Sequence, residues 1–393
     1  MSWPLVKLQD LVEINIGRTP SRAKPEYWGE GVSWLSIRDM NQGKLLSKTA
    51  EQITEFAVKE TNCKIAKKGT VLFSFKLSIG KVGFAEIDMF HNEAIAAMPI
   101  KKNVELCEEY LYFALLQMDS SQSTDRAVMG ATLNKKKMAE LKIPLPPLET
   151  QKKIAAVLEK ADQLRKDCQL LEQELNSLAQ SVFIDMFGDP LINPKSWPVN
   201  RLGELTSKIT DGKHGDCADQ PNSGYFFVSA KNIRNGKIDY EGARQINKKE
   251  FDEVHKRTDL MPGDIVMINT GATIGRLAIA DSDERTQRAT FQKSVAVIKP
   301  IVRRLNPVFL KYVLMLRVTD FAALGSGSAI KNLLLSQMRE FSIITPPLEK
   351  QNQFSLKEER INSLIKIINK NQDEAEISFN SLMQKAFKGE LNL

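Results

Sequence analysis

Two long stretches of the chain carry apolar residues at alternating spacings of four and three. The first runs through Leu164, Cys168, Leu171, Leu175, Leu178 and Val182; the second runs through Ile361, Ile365, Ile368, Gln372, Ala375, Phe379, Leu382 and Ala386. That spacing is the stripe of a coiled-coil seam. Each stretch follows a Pro-Pro-Leu-Glu sequence, at 146–149 and at 346–349. The prolines end the preceding element, and the acidic residue suits a first helical turn. A seam standing alone would leave apolar surface in water, so two helices at equivalent places predict one antiparallel pair. Glu149 to Met186 would span about 55 Å at about 1.5 Å per residue. Ser177-Leu178-Ala-Gln180 aligns with Ser381-Leu382-Met-Gln384, which gives the second helix four more residues after its Pro-Pro-Leu-Glu. Such an insertion is a stutter, which unwinds a coiled coil locally.

The remaining sequence has a different texture. Short β-branched runs such as Thr70–Phe75 and Asp264–Ile268, alternation near Val295–Ile298 and Gly-containing turns predict strands, and helical spacing returns at Cys107–Gln117 and Pro307–Leu316. These segments repeat each other. Ser2-Trp-Pro4 returns as Ser196-Trp-Pro198, and Lys7-Leu8-Gln-Asp-Leu11 as Arg201-Leu202-Gly-Glu-Leu205. Ser36-Ile-Arg-Asp-Met-Asn-Gln-Gly43 returns as Ser229-Ala-Lys-Asn-Ile-Arg-Asn-Gly236, and Ile79-Gly80-Lys81 as Ile274-Gly275-Arg276. One register covers nearly the whole chain, so the protein is a duplication. The reading is an α+β fold: a β-rich mixed domain over 1–146, a helix over 147–188, a second mixed domain over 189–346 and a second helix over 347–393.

Charge sharpens this division. Residues 1–146 hold 20 basic against 17 acidic side chains and residues 189–346 hold 23 against 17, whereas 147–188 holds 5 against 7 and 347–393 holds 7 against 7. The excess positive charge, +3 and +6, therefore sits on the two mixed domains, where a nucleic-acid partner would be met. No apolar run reaches membrane-spanning length and no secretory pattern opens the chain, which points to the cytoplasm. Cys63, Cys107, Cys168 and Cys217 form no close pair, which argues against zinc and disulfide frameworks.

Catalytic constellations are absent from the sequence. His91, His214 and His255 form no metal-binding spacing and are expected on the surface or in loops. Phe75 stands where a phosphate-binding loop leading to Lys81 would need its first glycine, and Gly325-Ser-Gly-Ser-Ala-Ile330 is half of a dinucleotide fingerprint in the wrong setting. Glu140-Leu-Lys142 lacks the upstream acidic partner of a nuclease site, and no amino-methyltransferase motif occurs. The chain is expected to bind no metal or cofactor and to catalyse nothing alone.

Trp-Pro near each domain start, Pro-Pro-Leu-Glu-x-Gln opening each helix, Met186-Phe-Gly-Asp-Pro190 closing the first helix and Ala386-Phe-Lys-Gly-Glu-Leu391 closing the second form a combined pattern. With Gly17-Arg-Thr-Pro-Ser21 and Glu26-Tyr-Trp28 added, it resembles the specificity subunit of type I restriction–modification enzymes over essentially all of the chain. The second domain departs from the opening motif, with Asp211-Gly-Lys-His-Gly215 in the equivalent loop. The resemblance implies two target recognition domains, each reading one half of a split site in double-stranded DNA, where major-groove base edges are distinguishable. It also implies helices that set the gap and dock two methyltransferase subunits, with restriction/translocase subunits joining them. S-adenosylmethionine, ATP and Mg²⁺ then belong to the partners. Base and phosphate contacts favour Lys, Arg, Asn and hydroxyl side chains on loops. That singles out Arg18, Thr19, Ser21, Arg22, Lys24, Lys81, Lys135, Lys136 and Lys137 in the first domain. In the second it singles out Lys213, His214, Lys231, Asn232, Arg276, Lys331 and Asn332.

Overall fold

The computed structural model of the chain describes residues 3–76, 78–120, 133–317 and 332–392. Two units emerge from the packing: Met1–Leu170 with Asn369–Leu393, and Leu171–Ile368. Each contains one mixed domain and parts of both long helices, Leu148–Phe187 and Leu348–Lys388, here called the central and C-terminal helices.

In the first unit, Leu5–Lys7 pairs antiparallel with Lys142–Pro144, bringing the two ends of the mixed domain together. Between them lies a five-stranded sheet in the order Asn15–Ile16, Ile95–Met98, Val71–Ser74, Val82–Ala85 and Leu45–Leu46. A smaller sheet follows the order Glu51–Ile53, Trp28–Leu35 and Phe90–His91, with the last pair parallel. Alternate residues of the larger sheet enter different cores. Val71, Phe73, Ala96 and Met98 pack with Tyr110, Leu111 and the long helices, while Leu72, Ile95 and Ala97 pack with Leu35, Met40 and Met89. Strands covered on both faces are apolar at every position, which is why these runs read as continuous.

The second unit repeats the plan. Val199–Arg201 pairs with Ser342–Ile344. The larger sheet runs Thr206–Asp211, Val295–Pro300, Ile265–Ile268 and Leu277–Ile279, and the smaller one runs Arg244–Gln245, Phe226–Val228 and Ala289–Phe291. The alternation expected at Val295–Ile298 does not separate core from solvent. All four residues are buried, with Ala296 and Ile298 facing the helical core and Val295 and Val297 the core under the smaller sheet.

Both helices join these cores antiparallel to each other. In the first unit Ile154, Ala155 and Leu158 near the start of the central helix pack with Phe379, Met383 and Ala386 near the end of the C-terminal one. In the second, Ala179, Phe183 and Phe187 pack with Phe354 and Ile361. On the C-terminal helix the expected seam residues Ile361, Ile365, Ile368, Gln372, Ala375, Phe379, Leu382 and Ala386 are all buried or half-buried. The central helix needs a correction. Cys168, Leu175 and Val182 face inward, but Leu164, Leu171 and Leu178 are 57%, 44% and 48% exposed. Its inward face instead follows Leu158, Asp162, Arg165, Cys168, Ala179 and Phe183, and so includes charged and small residues that a count of leucines passes over. Asp162 is buried and pairs with Arg165 and Lys166 at 2.6 Å each, and Arg165 reaches Glu376 at 3.0 Å while lying over Phe379. Polar seam positions of this kind fix register at some cost in stability.

The repeated motifs act as joints. Gln151 accepts a hydrogen bond from the Cys107 N–H and donates to the carbonyls of Glu105 and Pro146; Gln351 accepts from the Asn306 N–H and donates to that of Pro346. Each glutamine thus ties a long helix to the start of an earlier helix of its own mixed domain, Glu108–Ser120 or Pro307–Leu316. The repeated tryptophans cap helix ends: Trp3 donates to the Ala386 carbonyl at 3.1 Å, and Trp197 to that of Phe187 at 2.9 Å.

Candidate nucleic-acid interface

In each domain the loop after the first strand of the larger sheet begins at a glycine pressed against the backbone. A Cβ on Gly17 would lie 2.1 Å from the His91 carbonyl oxygen, and one on Gly212 would lie 1.8 Å from that of Phe291. Neither position admits a side chain without moving the loop. The next residue then donates its N–H to the same carbonyl, Arg18 to His91 at 2.8 Å and Lys213 to Phe291 at 2.7 Å. The two loops, different in sequence, therefore start from one frame.

Within the first loop, Arg18 is exposed and donates to the Thr61 carbonyl, Thr19 donates to Glu93, and Lys24 donates to the Tyr27 hydroxyl at 3.0 Å. Ser21 is exposed, and its carbonyl accepts from the Trp28 indole at 3.3 Å. Arg22, expected to contact DNA, has its guanidinium engaged already. It forks onto both oxygens of Glu51, with Nη2 at 2.8 Å from Oε2, and lies 3.6 Å above the Trp28 ring. This holds the Glu51 carboxyl below its usual range. In the second loop, Lys213 is half-buried against Glu250 at 3.2 Å, and His214 is exposed beside Asp211 at 3.3 Å.

A second corner forms where the Ser36–Gly43 turn meets the turn before Lys81. Lys81 donates to Asn41 Oδ1 at 2.6 Å, and in the other domain Arg276 donates to the Ile233 carbonyl at 3.4 Å. The preceding Gly80 and Gly275 have φ of 99° and 86°, a left-handed conformation that favours glycine. Lys231 is exposed here. Asn232 is a correction: it is 2% exposed, and its Oδ1 accepts from the Ser229 N–H and hydroxyl, as Asp39 does from Ser36. It shapes the turn from a buried position. Lys135, Lys136 and Lys137 are exposed on the first turn of Lys135–Glu140, and Asn332 is exposed and accepts from Thr270 at 2.8 Å. Lys331 and the Gly325–Ile330 motif lie outside the described residues.

His91 is a further correction, being 1% exposed on a strand rather than at the surface. Its register partner is Leu35, as that of Phe291 is Val228, so it occupies a core position. Burial pulls its pKa down to about 4. No group of residues able to hold a metal occurs among the described residues, nor among them is any helix long and apolar enough to cross a membrane.

Sequence reasoning missed the strand beneath each loop. Trp34 is opposite Glu51 and Ser33 opposite Gln52; Phe227 is opposite Arg244 and Phe226 opposite Gln245. Gln52 Oε1 accepts from the Gly31 N–H and Gln245 Oε1 from the Gly224 N–H, at 2.9 and 2.8 Å. Thr54 and Asn247 then cap the following helices. The signal was present as Gln52-Ile53 and Gln245-Ile246, which keep the register of the repeat.

A family model described as the type I restriction modification DNA specificity domain matches residues 2–180 and again residues 194–377. The MjaIX specificity subunit of Methanocaldococcus jannaschii is 31% identical over 249 residues, spanning 58% of this chain and 56% of that protein. The EcoBI specificity subunit of Escherichia coli is 22% identical across 99% of this chain and 86% of its own length. The crystal structure of a type I S subunit from M. genitalium shares the fold, with a TM-score of 0.57 at 14% identity over 98% of this chain and 96% of that one. With both halves matched by one model, and both folded into the same loop-bearing frame beside the helices, the chain belongs to the DNA specificity subunits of type I restriction–modification systems.

Proposed function

We propose that each mixed domain reads one half of a bipartite, asymmetric site in double-stranded DNA, that the helices set the gap, and that chemistry resides in partner subunits. The observation that carries this reading is the duplicated frame with unlike contents. The loops begin identically at Gly17 and Gly212, then present Arg-Thr-Pro-Ser-Arg in one domain and Lys-His-Gly-Asp-Cys in the other. A constant frame with divergent loop side chains suits two half-sites of different sequence, since base edges are read by side chains while position is set by the backbone.

The outward Leu164, Leu171 and Leu178 recur every seven residues on the central helix. That row supports docking of two adenine methyltransferase subunits, with restriction/translocase subunits completing the complex in the cytoplasm. S-adenosylmethionine, ATP and Mg²⁺ are assigned to those partners and none to this chain. Reconstitution tests the reading: the purified methyltransferase is expected to methylate DNA only with this chain present, in a complex of two methyltransferases per chain. Equal activity without the chain would contradict it. Removing one heptad from each helix at facing positions is expected to shorten the gap by about three base pairs, because seven residues span about 10 Å.

A further inference from the structure

We propose that one arginine per domain, Arg22 paired with Glu51 in the first and Arg244 paired with Asp216 and Asp219 in the second, positions the loop that reads each half-site. The proposal rests on the function above and names the residues that set its geometry. Strand register makes Glu51 and Arg244 equivalent, each opposite an aromatic residue, Trp34 or Phe227, and each followed by a glutamine that clamps a glycine N–H. From Glu51 the bond runs to Arg22 in the loop. From Arg244 it runs to Asp216 at 2.6 Å and Asp219 at 2.7 Å in the equivalent loop. The polarity is reversed. An acid on the strand meets a base on the loop in one domain, and a base on the strand meets acids on the loop in the other. Both guanidinium groups also lie over an aromatic ring, Arg22 at 3.6 Å from the Trp28 centroid and Arg244 at 5.7 Å from that of Phe227.

Solvated charges without a common role would not keep one bond while exchanging its ends. The loop is thereby fixed at two points: at its root by the glycine and the shared carbonyl, and beyond it by the ion pair. Fixing a reading loop before DNA arrives removes ordering cost from recognition. These pairs are partly exposed, and exposed pairs contribute little to folding stability. Their effect is therefore expected in recognition and not in the melting temperature. Arg22 and Arg244 are positioning residues, with base contact left to other side chains of the loop.

The test uses the full chain with its methyltransferase in a host lacking adenine methylation, reading methylated motifs genome-wide. Arg22→Gln or Glu51→Gln is expected to relax the bases of one half-site and slow methylation about tenfold or more, leaving the other half-site intact. Arg244→Gln is expected to do the same to the opposite half. The double exchange Arg22→Glu with Glu51→Arg is expected to restore the motif that Arg22→Glu alone loses, at an unchanged melting temperature. Unaltered motifs and rates in the single variants would overturn the proposal, as would no rescue by the exchange, or equal losses at both halves with a lowered melting temperature. A wild-type chain that yields no bipartite motif would instead overturn the functional reading, and the proposal with it.

Discussion

Gln151 and Gln351 have no exposed surface and complete the hydrogen bonding of backbone groups at helix starts. Replacing either with alanine leaves a part-buried N–H and a buried proline carbonyl without their partner, so each substitution is expected to destabilise its own unit by about 1–3 kcal/mol in denaturant unfolding. The repeated Pro-Pro-Leu-Glu-x-Gln was legible as a helix start, but the glutamine's role was not, because its partners at Glu105, Cys107 and Asn306 are distant in sequence. His91 shows the same limit. A lone histidine followed by Asn92 and Glu93 reads as a loop residue, and only strand pairing reveals it as a core position. Its pKa falls from 6.5 to about 4 on folding. The unfolded chain therefore takes up a proton below pH 6.5 that the folded chain refuses. The stability that neutral His91 contributes is complete above pH 6.5 and is lost as pH falls towards 4, at up to about 1.4 kcal/mol per pH unit. His91→Phe, the residue found at 291, is expected to remove this component from a pH series of unfolding measurements. An unchanged slope would show that His91 titrates normally.

At the scale of elements, the two helices, their antiparallel pairing and the order of the strand-rich segments follow from periodicity and repetition. Periodicity could not choose between neighbouring stripes of the central helix. Leucine spacing favoured a seam through Leu164, Leu171 and Leu178, but the inward face is anchored by Phe183 and Phe187 at one end and by Ile154 and Leu158 at the other. The face between them is occupied by Asp162, Arg165 and Ala179, which a count of leucines passes over. Phe183→Ala is accordingly expected to cost about 3–5 kcal/mol. Leu171→Ala on the isolated chain is expected to stay within about 0.5 kcal/mol of wild type. Paired chemical denaturation curves would check both, and a large loss from Leu171→Ala would restore the leucine seam.

At the scale of the molecule, the boundaries legible along the chain are not those of the folded units. Residues 369–393 belong with the first mixed domain, through Phe379, Met383, Ala386 and the Trp3 hydrogen bond. Truncation after residue 368 is therefore expected to strip hydrogen-exchange protection from the first unit while the second keeps its own, although the cut lies far along the chain from residues 1–146. Loss confined to the second unit would contradict the assignment. Linear reading places a domain boundary where the composition changes, whereas contact places it where the two helices exchange partners.

The central claim is that this chain alone supplies sequence recognition to an adenine methyltransferase. Genome-wide mapping of methylated adenines, with the methyltransferase expressed with and without this chain, tests it most directly. The account predicts a bipartite motif with a fixed unspecified gap that disappears when the chain is omitted. A continuous motif, or the same motif in its absence, would contradict it.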